Sequence, residues 1–111
     1  MKIVVTEAKQ GVRCIKLDGR LDAAGVQAGE AEFNSTVVAA PNVIVDLESV
    51  PFIASIGVRM LVAGAQAQGK IGGKMVMVNP DEATRRILKT TGIDQVIKVY
   101  DNMAGAVAAF A

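Results

Sequence analysis

Ser55 is the side chain whose type and place are most open to chemistry. It stands in Ile53-Ala54-Ser55-Ile56-Gly57, where an irregular stretch passes into a helical pattern. Two uses fit it. As a helix N-cap, its hydroxyl accepts from a backbone N–H two or three residues on and contributes about 1 kcal/mol. As a phosphorylation site, it offers a phosphate the free N–H donors and positive dipole of a helix start. A G-x-S-x-G hydrolase elbow does not fit. The leading glycine is missing, and the chain has no histidine to activate the serine.

The lack of histidine removes the usual general base near neutral pH and the commonest metal ligand. Zinc would need cysteines, and Cys14 stands alone. Its apolar surroundings mark it as a small core residue rather than a reactive thiol. Asp18, Asp22 and Asp46 fall at predicted strand ends. Gathered at one sheet edge they would suit Mg²⁺; their commoner use is capping and loop hydrogen bonding. Gly69, Gly72 and Gly73, around Lys70 and Lys74, lack the order of a phosphate-binding loop and read as a helix stop and a turn. Arg85, Arg86 and Lys89 read as a solvated basic face.

The elements that must position these residues follow from hydrophobic periodicity. Residues 2–7 and 12–17 read as a hairpin turning at Lys9-Gln10-Gly11. In the second strand Val12 and Cys14 are out of phase with Ile15 and Leu17, so both faces should be partly covered. From 23 to 38 the pattern is helical, with Val26, Phe33 and Val37 on one face. Val43-Ile44-Val45, closed by Asp46, reads as a strand buried on both faces, as do 74–78 and the shorter 96–99. The helix from Ser55 to about Gly69 has Ile56, Met60, Ala63 and Ala67 at helical spacing. Arg59, Gln66 and Lys70 make its polar stripe. Gly64 inside it costs about 1 kcal/mol against alanine, which implies close backbone packing.

A further helix is predicted with Asn79 as cap, Pro80 at its first position and Glu82 at capping-box spacing. Lys89 lies in its last turn and Gly92 just past its end. Met103, Ala106, Val107 and Phe110 mark a closing helix, with Asn102 as cap. The order β-β-α-β-α-β-α-β-α predicts one α/β domain over residues 1–111. Its mostly parallel sheet carries an antiparallel edge strand and about four helices.

Composition sets outer limits. At 111 residues and 51% apolar, the chain can bury a core without metal or disulfide staples. A net charge of +1 gives nothing to steer it to nucleic acid or an anionic membrane. The apolar run before Glu7 is too short for a signal peptide, and no stretch approaches the roughly 18 apolar residues of a membrane helix. The cytoplasm is the default expectation, with no cofactor.

Three segments together resemble the STAS domain of bacterial anti-sigma factor antagonists. Leu17-Asp18-Gly19-Arg20-Leu21-Asp22 is similar to the family's L-x-G-x-L-D after its second strand. Val50-Pro51-Phe52-Ile53-Ala54-Ser55-Ile56-Gly57 is similar to its F-[IM]-D-[ST]-[ST]-G. Thr91-Gly92-Ile93-Asp94 is similar to its T/S-G-L. The resemblance implies a protein that binds an anti-sigma factor, frees the sigma factor, and is not an enzyme. It also implies that a kinase-type anti-sigma factor phosphorylates Ser55 and that a phosphatase restores it. The surface it implies comprises Asp22, Ala54, Ser55, Ile56, Gly57 and Arg59, on a monomer or weak dimer. Ala54 stands where the family has an acid, and Ile56 where it has Ser or Thr. Those departures suit a second expectation, an unphosphorylated adaptor in a larger assembly. A third is a Mg²⁺-dependent or nucleotide-binding protein using the aspartates.

Overall fold

The computed structural model describes residues 1–110. The hairpin forms from β1 (Lys2–Lys9) and β2 (Val12–Asp18), joined at Gly11, whose φ of 81° is left-handed. Then come α1 (Ala23–Val38), β3 (Asn42–Ser49), α2 (Ser55–Lys70), β4 (Lys74–Val78), α3 (Glu82–Thr91), a short 3-10 turn (Ile93–Gln95), β5 (Val99–Tyr100) and α4 (Met103–Ala108). The sheet order is β1-β2-β3-β4-β5; β1 and β2 are antiparallel and every other pair is parallel. Val43–Val45 and Met75–Val78 lie side by side with a strand beyond each of them, as the apolar runs predict.

Both faces of the inner strands are covered. Ile15, Leu17, Val43, Val45, Met75 and Met77 pack with α1, α2 and α3 in the larger core. Val12, Ile44, Val76 and Val78 pack with Ala106 of α4 in a smaller one. The broken alternation of β2 therefore has a physical cause: Val12 and Ile15 serve opposite cores. Cys14 is buried in this strand. Burial pushes its thiol up from the ordinary value, and Asp46 adds to that, so it is a core residue.

Several local expectations need correction. Asp46 does not close β3; the strand runs on to Ser49, and Asp46 is buried within it. Its carboxylate accepts from Glu48 N–H at 3.0 Å. Helix α3 is capped by Asp81 rather than Asn79: Asp81 accepts from Thr84 N–H at 2.7 Å. Asn79 has φ 59° and Pro80 lies before the helix, so neither begins it. Gly92 closes α3 in the left-handed conformation, φ 78°.

The strand expected at 96–99 shrinks to Val99–Tyr100. Gly92 leads into the 3-10 turn, which buries Ile93 and Ile97 and leaves Val96 exposed. In α2 the inward face is Gly57, Met60, Leu61, Gly64 and Gln68, while Ile56 and Ala63 lie outward with Arg59, Gln66 and Lys70. Small residues let this helix approach α1. A Cβ on Gly64 would stand 2.8 Å from the Phe33 ring, so a side chain, not backbone, explains that glycine. The buried Gln68 donates to the carbonyls of Val37 and Ala40, tying α2 to the end of α1.

Candidate partner-binding surface

Parallel strands β2 and β3 end side by side, and the chain turns from each into a helix. The two turns are stitched together. Gly19 N–H donates to Ser49 O at 3.0 Å, Leu21 N–H to Phe52 O at 2.9 Å, and Ala54 N–H to Leu21 O at 2.9 Å. Leu21 and Ile53 form a parallel bridge, and both side chains are buried. The irregular stretch before Ser55 is thus held at both edges by backbone hydrogen bonds and apolar anchors.

This stitching explains Gly57. The first turn of α2 lies on Leu21 so closely that a Cβ at Gly57 would sit 2.7 Å from Leu21 O and 2.8 Å from Leu21 Cβ. Gly57 is buried. It lets the helix start lie close to the neighbouring loop.

Asp22 caps α1. Its carboxylate accepts from Gly25 N–H at 2.9 Å and from Arg20 Nε at 3.1 Å. The Gly25 N–H first, and Arg20 second, hold its carboxyl below the ordinary carboxylate range. The Arg20 guanidinium also lies over the Phe52 ring, 4.4 Å from its centroid. The geometry is that of a cation–π contact, and it links the two turns from outside as Leu21 and Ile53 do from within.

Helix α2 starts differently. Its N-cap is Ala54, with φ −99°, ψ 172° and no side-chain capping bond, and its first turn carries no acid. Ser55 is not the cap; it occupies the first helical position and is exposed. Ile56 follows it, 39% exposed. Arg59 is exposed one turn on, at the i+4 spacing that places side chains on one face. Of the six residues proposed from sequence, Ala54, Ser55, Ile56 and Arg59 thus share the start of α2. Asp22 stands at the start of the helix beside it, and Gly57 lies beneath.

Arg20 and Phe52 were not singled out by sequence reasoning. Their contact joins residues of two different turns, and no spacing within either turn signals it. The aspartates part ways: Asp22 caps a helix, Asp46 is buried in a strand, and Asp18 ends β2. Among the described residues, no group of three His, Cys, Asp or Glu is placed to hold a metal ion. Gly72, φ 77°, makes the turn after α2, as expected of a stop rather than a phosphate loop. Arg85 and Arg86 pair with Asp101 and Glu82 on the exposed side of α3. Among the described residues no helix is long and apolar enough to cross a membrane.

The fold and this surface define a class of small α/β domain in which two helix starts stand together above parallel strand ends. A model of the STAS domain matches residues 4–106. The chain belongs to the STAS domain family. It is 27% identical over 106 residues to the anti-sigma-F factor antagonist RsfB of Mycobacterium tuberculosis, covering 94% of this chain and 86% of that one. An anti-sigma factor antagonist from Mycobacterium paratuberculosis superposes with a TM-score of 0.87 at 28% identity, over 97% of this chain and 92% of that one. A STAS domain protein from Planctomyces limnophilus, described as an anti-sigma-factor antagonist, gives a TM-score of 0.87 at 27% identity, over 98% and 97%.

Proposed function

We propose that this protein is a cytoplasmic anti-sigma factor antagonist that binds a kinase-type anti-sigma factor and is released when Ser55 is phosphorylated. A phosphatase would reset it, and the chain itself catalyses nothing. The observation that carries the reading is the start of α2. An exposed serine stands at the first helical position, over a helix end that no side chain caps and no first-turn acid neutralises. Such an end favours an anion by about 0.3–1 kcal/mol, so the fold tolerates a phosphate there. The interface would not. A group of about −1.5 to −2 charges would be desolvated against a surface formed around a hydroxyl. An unpaired buried charge costs several kcal/mol, and each ~1.4 kcal/mol weakens binding tenfold. Release by a factor of about a hundred or more follows.

The test uses purified anti-sigma factor, ATP, and the wild type, Ser55→Ala and Ser55→Asp. Wild type should yield a phosphorylated peptide containing Ser55 and then dissociate. Ser55→Ala should bind and stay bound, and Ser55→Asp should bind more weakly at unchanged melting temperature. A second reading, a constitutive adaptor, draws support from Ile56, whose exposed side chain offers apolar contact beside the serine. Unmodified wild type, together with equal affinities for the two variants, would select the adaptor.

A further inference from the structure

We propose that β1 is a docking edge for a second copy of this chain, the two β1 strands pairing antiparallel about a two-fold axis at Val5. Among the described residues β1 pairs with β2 alone, so its outer edge presents unpaired backbone groups. Edge strands are ordinarily blunted by shortness or by central charges. The opposite edge, β5, is two residues long. By contrast β1 has eight, and its middle, Ile3-Val4-Val5-Thr6, is β-branched throughout and uncharged. Its charges, Lys2, Glu7 and Lys9, are kept to the ends.

Exposure indicates what kind of cover the edge takes. Val4 is 44% and Val5 41% exposed. Val5 pairs with Ile15, whose side chain belongs to the larger core, so Val5 points to the α1 face and Val4 to the other. A helix laid on one face would reach one of these valines. A strand added in the plane of the sheet flanks both. A groove of about 430 Å³ also opens beside the strand on the α1 side, bounded by Val5, Glu7, Arg13 and Pro41.

A second β1 fits this edge. Across a two-fold axis normal to the sheet, residues that face each other share a face, so the axis passes through a residue. Centred on Val5, the pairing sets Val5 against Val5, Val4 against Thr6, Ile3 against Glu7 and Lys2 against Ala8. No like charges are opposed, which would be unfavourable. There the irregularity between Glu7 and Lys9 is met only at the last pair, whereas moving the centre to Thr6 sets Val4 against Ala8 and Ile3 against Lys9 and brings it inside the ladder. Moving it to Val4 shortens the ladder. One strand edge covers less than the ~1,600 Å² of a standard interface, so the dimer is weak and concentration-dependent. It uses the sheet edge, not the start of α2, and does not rest on the antagonist reading.

Sedimentation velocity of the full chain up to millimolar concentration tests the pairing, with Val5→Lys, Val5→Cys and Val4→Cys as variants. Wild type should shift from monomer to dimer as concentration rises. Val5→Lys, with unchanged circular dichroism and melting temperature, should need at least about tenfold more protein to do so. Under mild oxidation Val5→Cys should form a disulfide-linked dimer, because opposed Cβ atoms lie about 4.5–5.5 Å apart. Val4→Cys, facing Thr6, should not. Buried Cys14 is common to all of them and serves as the background. A monomer at every concentration would overturn the proposal and leave the edge bare or open to another protein's strand. Dimerisation of Val5→Lys equal to wild type, or equal cross-linking of both cysteine variants, would overturn it as well.

Discussion

Helices α1 and α2 both begin where a parallel strand ends, and Leu21 ties the two starts together. They are finished in opposite ways. At α1 a carboxylate binds a first-turn N–H and is itself held by Arg20. At α2 the cap is an alanine and the first turn has no acid. α3 and α4 follow the α1 pattern, with Asp81 and Asn102 as caps. A helix start that must only be stable is closed by its own side chain. A start left open keeps its N–H groups and its dipole for something that arrives later. In the proposed function that arrival is a phosphate on Ser55.

The contrast can be broken at several points. The largest effect is expected at Gly57, which lets the open start sit on the closed one. Gly57→Ala forces a Cβ against Leu21 and should cost about 1–3 kcal/mol, as overpacking does. Chemical denaturation of the variant measures it, and a loss under about 0.5 kcal/mol would mean that the two starts are not rigidly coupled.

Next comes Ala54→Asp, which supplies α2 with the cap that α1 has. It should raise stability by about 1 kcal/mol, read as a higher denaturation midpoint. An unchanged midpoint would show that the α2 start was already satisfied.

A smaller effect, confined to acid, belongs to α1. The Asp22 carboxyl titrates below its ordinary value, so its contribution is complete above the unfolded pKa of about 3.9 and is lost as pH falls through the folded one. Asp22→Asn keeps an acceptor but does not titrate. Its stability should therefore fall less than that of wild type between pH 5 and strongly acid solution, about the range of carboxylate protonation. Parallel acid profiles would remove Asp22 from the account. The smallest effect is expected for Ser55→Ala, within about 0.5 kcal/mol of wild type. A loss near 1 kcal/mol would mean that Ser55 itself caps the helix.

Much of the architecture was legible because burial leaves a period in the sequence. The apolar runs at 43–45 and 74–78 became adjacent inner strands, and the phase break between Val12 and Ile15 marked two cores. Where the reading failed, more than one local arrangement had the right composition. Asn79-Pro80-Asp81-Glu82 holds two residues able to cap a helix, and backbone geometry selected Asp81. In α2, Ile56 and Ala63 kept helical spacing yet fell on the outside, because Gly57 and Gly64 turn inward with Met60, Leu61 and Gln68 and rotate the buried face away from them.

The site divides along the same line. Its local part, a serine at a helix start after a polar strand end, needed no structure to find, since it lies within a few consecutive residues. That Ala54 caps and Ser55 follows is a matter of one residue in helix phase, set by the bond from Ala54 N–H to Leu21 O. That Arg20 lies over Phe52 depends on the side-by-side ends of β2 and β3. Sequence alone determined the order of the main elements and the burial of the inner strands, because hydrophobic burial is repeated along the chain and leaves a pattern. Tertiary structure alone decided which loops meet and which helix start stays open, because those depend on single contacts between distant residues, and a single contact has no period to read.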